Sequence, residues 1–250
     1  MQRSPRVTIF PTAQDVARTL AQRVVNALRQ NPRLVLGLPT GRTPLLFYEE
    51  LVRLHADDDV DFSRATTFNL DEFVGIAAEH PGSYRTFMRR FLFEHVNIDP
   101  ARTHFLDGAA EDLEAECERY ESAIEAAGGI DLQILGIGTN GHIGFNEPGP
   151  ELEARTHKVT LRPETRRSNA GLFGGDPGGV PSQALSMGMG TILHARQAIL
   201  LATGGTKAQC VERVVRGPIT TALPASLLQL HRNAELMLDE AAASKLIADS

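Results

Sequence analysis

The stretch from residue 130 to residue 149 restricts the fold more than any other. Ile130 to Leu135 is an apolar run of strand length, and Gly136, Gly138 and Gly141 break it into a turn-prone loop. That loop carries Asn140, His142, Asn146 and Glu147, all able to exchange hydrogen bonds or protons. A buried strand whose C-terminal end opens into a glycine-rich polar loop is how open α/β sheets hold their ligands.

Similar strand ends recur elsewhere. Leu34 to Leu38 runs into Pro39-Thr-Gly-Arg-Thr-Pro44, Ala65 to Leu70 ends at Asp71 and Glu72, and Ala198 to Ala202 leads to Gly204-Gly-Thr-Lys207. Val16, Leu20, Val24, Val25 and Leu28 recur at helical spacing, so residues 13 to 29 are predicted as an amphipathic helix capped by Thr12 and Asp15. Further helices are predicted after Pro44, behind Ser83, and over 111–127, 164–173 and 207–215. Shorter strands are expected at Val7–Phe10, Thr103–Leu106, Arg155–Leu161 and Ala234–Leu238. Strands alternating with helices predict one α/β domain over residues 1–250. Its sheet is mostly parallel and twisted, with helices on both faces, in a modified Rossmann-like arrangement. Tyr84, Phe87 and Phe91 read as core. Residues 56–64 read as a solvated acidic connector, and the glutamates of 111–127 as a solvated helix face.

Charge and composition narrow the function classes. The net charge is −6 and no basic block occurs, which argues against a nucleic-acid partner. No apolar run is long enough to span a bilayer, and the first residues lack an apolar leader region. A cytoplasmic protein with no membrane partner is the expectation. Cys117 and Cys210 have neither metal nor redox spacing and are expected to be reduced thiols.

In a parallel sheet the C-terminal strand ends lie along one edge, which would assemble these loops into one site. Thr40, Gly41, Arg42 and Thr43 offer backbone N–H groups and hydroxyls at a helix start, a natural anion cradle. A plain strand-to-helix turn explains that loop about as well, since the Walker lysine is absent. Lys207 would add a point charge, or is incidental to a helix start. Asp71 and Glu72 are adjacent on a strand and point to opposite sides, so only one faces a given cleft. His142, between Gly141 and Gly144, reads as an acid/base group. Glu147 would fix its tautomer and raise its pKa. There is no nucleophile elbow, and His142 with Glu147 supplies too few ligands for a metal. Proton transfer on a small sugar phosphate is the chemistry these residues suit.

Leu36-Gly-Leu-Pro-Thr-Gly-Arg-Thr-Pro44, Phe68-Asn-Leu-Asp-Glu-Phe-Val-Gly75 and Gly136-Ile-Gly-Thr-Asn-Gly-His-Ile-Gly-Phe-Asn-Glu-Pro148 resemble the glucosamine-6-phosphate deaminase family. The similarity extends to Ser226-Leu-Leu-Gln-Leu-His231 and so covers nearly the whole chain. The His-Ile-Gly-Phe-Asn-Glu-Pro run separates this family from the related 6-phosphogluconolactonases. The resemblance implies conversion of glucosamine 6-phosphate and water to fructose 6-phosphate and ammonia, with no metal or organic cofactor. It implies Asp71 as the base moving a proton between sugar carbons 2 and 1, and His142 as the ring-opening group. Asn140 and Glu147 would orient that histidine. A deaminase for another amino-sugar phosphate, or a 6-phosphogluconolactonase, is the alternative reading. A sugar-phosphate-sensing regulator is disfavoured because the acid/base residues are present.

Four departures from the family pattern matter. Asn140 stands where many members carry aspartate. The family pattern Thr-Arg-x-x-Asn-x-Arg supplies a phosphate-binding arginine, but Thr165-Arg-Arg-Ser-Asn-Ala-Gly171 ends in glycine. Arg42 occupies a phosphate-loop position where glycine or serine is common, and is expected to compensate for Gly171 together with Lys207. Pro150, His157 and Val159 replace the basic cluster of allosteric members, so a non-allosteric enzyme is expected. A homo-oligomer remains compatible with the resemblance.

Overall fold

The computed structural model describes residues 5–57 and 60–248. In chain order it contains β1 (Arg6–Phe10), α1 (Ala13–Gln30), β2 (Val35–Leu38), α2 (Leu45–Ala56), β3 (Thr66–Asn69), β4 (Asp71–Phe73), α3 (Tyr84–Phe91), β5 (Thr103–His104) and α4 (Leu113–Ala126). There follow β6 (Leu132–Leu135), β7 (His157–Thr160), α5 (Pro163–Asn169), β8 (Gln183–Ser186), α6 (Met189–Leu193), β9 (Gln197–Ala202), α7 (Ala208–Arg216), β10 (Ala234–Asp239) and α8 (Glu240–Ile247). The main sheet has seven strands in the order β1-β10-β9-β6-β2-β3-β5. Every pairing in it is parallel.

Period-two alternation builds the two faces. Along β9, Ala198, Leu200 and Ala202 enter one core cluster with residues of α4, α6, α7 and α8. Ile199 and Leu201 enter the other, with α1, α2 and α3. Both faces of the sheet are thus covered, which is why its strands read as continuous apolar runs. The predicted cap of α1 forms, with Thr12 accepting from the N–H of Asp15. Ser83 caps α3 in the same way through Thr86. Cys117 and Cys210 are both buried and free.

Five readings need correction. The strand ending in Asp71 is two strands. β3 stops at Asn69, and Asp71 opens β4, which joins a separate antiparallel sheet of order β4-β8-β7. β8 gives no strand signal in the sequence, because Gln-Ala-Leu-Ser is short and has no β-branched residue. α8 is not among the predicted helices; Asp239 caps it through the N–H of Ala242. Within the acidic connector, Val60 and Phe62 are core residues, whereas Asp58 and Asp59 lie outside the described residues.

The fifth correction concerns α4. Glu116 and Glu121 are buried, not solvated. They flank the apolar stripe of Cys117, Tyr120 and Ile124 on the helix surface, one on each edge. Glu121 accepts from the N–H and hydroxyl of Thr156, both at 2.6 Å, and from the hydroxyl of Thr191 at 2.7 Å. It therefore fastens the loop before β7 to α4 and α6. Glu121→Ala leaves these donors unpaired and should destabilise the fold by about 2–4 kcal/mol. Urea unfolding measures this; a loss below about 0.5 kcal/mol would show that the bonds contribute little.

Candidate active site

The strand order reverses direction between β2 and β6. From β2 the chain continues outward through β3 and β5, and from β6 through β9 and β10. A crevice forms beyond the C-terminal ends of strands at such a point. The four stretches singled out in the sequence leave β9, β6, β2 and β3, which are neighbours in the sheet. They enclose a cavity of about 850 Å³, lined by Thr40 to Thr43, Asp71, Asn140, His142 and Lys207 among others. All the predicted site residues except Glu147 line it.

Asp71 is only 6% exposed, and its Oδ1 has no hydrogen-bond partner among the described residues. Gly144 lets the 136–147 loop approach it closely. A Cβ there would sit 3.4 Å from Asp71 Oδ2, and the backbone has φ of +55°. Burial pushes the Asp71 carboxyl well above the usual carboxylate range, and the charge of Glu72 adds to this. As expected from the pleat, Glu72 serves another purpose. It accepts from the N–H groups of Phe73 at 2.8 Å, Tyr84 at 3.1 Å and Arg85 at 3.1 Å.

His142 packs over Gly138, where a Cβ would meet the imidazole at 2.3 Å. The predicted direction of its pKa is reversed. Burial lowers it, more than the Glu147 charge raises it, and Lys207 lowers it further. The imidazole is thereby biased toward its neutral form. Its Nδ1 stands 3.8 Å from Glu147 Oε2, beyond hydrogen-bond reach. Asn140 connects the two instead. Its Oδ1 accepts from the His142 N–H at 3.1 Å, and its Nδ2 donates to Glu147 Oε2 at 3.1 Å. Glu147 lies behind the cavity wall, where its Oε1 accepts from the Thr165 hydroxyl and from the Arg162 N–H at 3.4 Å. The carboxylate thus ties the histidine loop to α5.

The Thr40–Thr43 loop is anchored from below. The Tyr48 hydroxyl donates to the Pro39 carbonyl, and Asn69 Nδ2 donates to the Leu38 carbonyl at 3.2 Å. Arg42 is exposed, but its guanidinium lies against Gly171 across the cavity mouth. A Cβ at Gly171 would be 3.7 Å from Arg42 Nη2. Lys207 Nζ donates to the Ile137 carbonyl at 2.7 Å, and burial lowers its pKa. Among the described residues no three His, Cys, Asp or Glu side chains come together to hold a metal ion. No helix there is long and apolar enough to cross a membrane.

The α3 aromatics, expected to be mostly core, also reach the cavity: Tyr84, Phe87 and Phe91 all line it. The Tyr84 hydroxyl donates to Asn169 Oδ1 at 3.0 Å, and its ring stacks on Phe145 with centroids 5.8 Å apart. The signal was its place at the first position of α3, just after the Ser83 cap. Side chains there lean back over the preceding turn, toward the site.

A raised carboxyl pKa means that the fold disfavours ionised Asp71. Above the unfolded pKa the ionised form costs stability, and that cost grows as pH rises toward the folded pKa. Asp71→Asn removes it. The variant should melt higher than wild type at pH 8, by about 2–4 °C for each kcal/mol relieved, with the gap closing near pH 4. Calorimetry at both pH values checks this; a variant that melts lower at pH 8 would contradict it.

The chain matches the family described as glucosamine-6-phosphate isomerases/6-phosphogluconolactonase over residues 11–238. It is 48% identical over 241 residues to a glucosamine-6-phosphate deaminase of Halothermothrix orenii, covering 96% of this chain and 100% of that one. The solved structure of a monomeric glucosamine-6-phosphate deaminase superposes with a TM-score of 0.92 at 41% identity, covering 96% of this chain and 99% of that chain. A 6-phosphogluconolactonase from Trypanosoma cruzi, at 20% identity and a TM-score of 0.75 over 98% of each chain, shares the fold. The chain belongs to the glucosamine-6-phosphate isomerase/6-phosphogluconolactonase family, and within it to the glucosamine-6-phosphate deaminases.

Proposed function

We propose that the protein converts glucosamine 6-phosphate and water to fructose 6-phosphate and ammonia. One observation carries this reading. A buried carboxylate, an imidazole biased toward neutrality and an anion cradle share a single cavity at the strand-order reversal. In this reading the phosphate is held by Thr40, Gly41, Arg42, Thr43 and Lys207, which places the sugar's reducing end at Asp71 and His142. Neutral His142 accepts the proton of the anomeric hydroxyl and returns one to the ring oxygen, opening the pyranose. Asn140 and Glu147 hold the loop that presents it. Ionised Asp71 takes the proton from carbon 2, a proton of the substrate's ammonium group passes to the carbonyl oxygen, and the resulting enolamine takes back the carbon-2 proton at carbon 1 to give the protonated imine. The product imine at carbon 2 adds water and expels ammonia, which balances the reaction.

The raised pKa suits Asp71 to this work, because a carboxylate in water is too weak a base for a carbon acid. Arg42 supplies the guanidinium that Gly171 lacks; its position against Gly171 supports this role. Replacement of the basic cluster by Pro150, His157 and Val159 supports a non-allosteric enzyme.

Purified protein given glucosamine 6-phosphate should release one ammonia per fructose 6-phosphate, with hyperbolic dependence on substrate. Absence of ammonia, with hydrolysis of 6-phosphogluconolactone or release from galactosamine 6-phosphate instead, would transfer the assignment. Sigmoidal kinetics relieved by N-acetylglucosamine 6-phosphate would contradict the non-allosteric part. Arg42→Ala should raise KM about tenfold with a smaller effect on kcat, as expected for loss of a charge-assisted phosphate contact. An unchanged KM would remove Arg42 from the phosphate grip.

A further inference from the structure

The carboxylate beside Asp71 has its own surroundings. Glu72 is 3% exposed and projects from β4 away from the active-site cavity. It lines a second cavity of about 440 Å³ on the other side of the strand. Its carboxylate oxygens accept from the N–H groups of Tyr84 and Arg85, the first two residues of α3. Ser83 satisfies the third through Thr86 at 3.0 Å. The hydrogen bonds of Glu72 therefore tie the start of α3 to β4, beside the packing of Phe73 on Tyr84. β4 carries Asp71, and α3 begins with Tyr84, whose hydroxyl reaches Asn169 of α5.

We propose that Glu72 is a positioning residue for catalysis: by capping α3 from β4 it sets Tyr84 against Asp71, and its carboxylate acts on Asp71 from behind the strand. The proposal rests on the reading of Asp71 as the base. Geometry gives both effects. Adjacent strand residues project to opposite faces, so Glu72 acts on Asp71 through the strand without entering the substrate cavity. The other charged or titratable groups around Glu72 are Arg85 of α3, His104 of β5, Asp107 after it, and Glu116 and Arg119 of α4. Arg119 is engaged by Glu116 at 2.6 Å, and the Arg85 guanidinium lies 5.2 Å from the centroid of the Phe105 ring. Burial raises the Glu72 pKa to about 7 against the opposing pull of its backbone donors and Arg85.

Glu72→Gln keeps a carbonyl oxygen for the Tyr84 N–H but removes the charge, whereas Glu72→Ala removes both. The Gln variant should keep at least a tenth of wild-type kcat. The acid limb of its kcat/KM profile should move down by roughly half to one pH unit. The Ala variant should lose about a hundredfold in kcat/KM. An acid limb that superimposes on wild type, or an Ala variant within threefold of wild type, would overturn the proposal. If either variant fails to fold, the wild-type Asp71 side-chain carboxyl carbon can be followed by NMR across pH. Two inflections, one from Glu72 titrating behind it, support the coupling, and a single inflection rejects it. Failure of the underlying reading would show separately, as an Asp71→Asn variant that still releases ammonia.

Discussion

The site depends on keeping the Asp71 carboxylate out of water, with no cation paired to it among the described residues. It is 6% exposed, Glu72 is its neighbour, and one of its oxygens has no partner among the described residues. In an ordinary surface setting such a group is a weak base. Here burial and a like charge make proton uptake favourable, and only a well-packed frame can hold it in that state. Phe73, Tyr84 and Phe145 form an aromatic cluster next to it, with Phe73 and Tyr84 centroids 4.9 Å apart and Phe73 and Phe145 centroids 5.4 Å apart. That cluster excludes solvent and sets the orientation of β4.

Division of labour between the two sheets follows from this need. The seven-stranded parallel sheet supplies the loops, because its strand order reverses between β2 and β6. The small antiparallel sheet supplies Asp71 on a strand that pairs with β8, with Asp71 opposite Ser186. The Ser186 hydroxyl in turn accepts from the Phe145 N–H at 3.0 Å, so the same pair also fixes the loop that carries His142. α5 closes the arrangement through Thr165 to Glu147 and Asn169 to Tyr84. Residues distant in sequence are thereby locked into one network, which fixes the groups proposed to act in catalysis.

Much of this was legible in the sequence. The parallel α/β architecture followed from apolar runs alternating with helical periodicity, and the four loops could be placed on one edge from the sheet's connectivity alone. What stayed hidden is instructive. β8 carries no β-branched residue, and its partner strand β4 is three residues long, so the second sheet had no periodic signal. The direction of the His142 pKa was misjudged because a nearby carboxylate is visible in sequence whereas burial is not. The buried glutamates of α4 were readable in principle, since residues 116 and 121 sit at the edges of the apolar stripe. Motif resemblance identified the candidate groups, but the way Asn140 stands between His142 and Glu147 required coordinates.

In the proposed reaction Asp71 performs the proton transfer while other groups hold the substrate. Asp71→Asn protein tested for glucosamine 6-phosphate binding by calorimetry, and for ammonia release under the same conditions, separates the two. Binding within a fewfold of wild type is predicted, with turnover reduced about a hundredfold to ten-thousandfold, the range expected for loss of a catalytic base. Turnover within tenfold of wild type would contradict it.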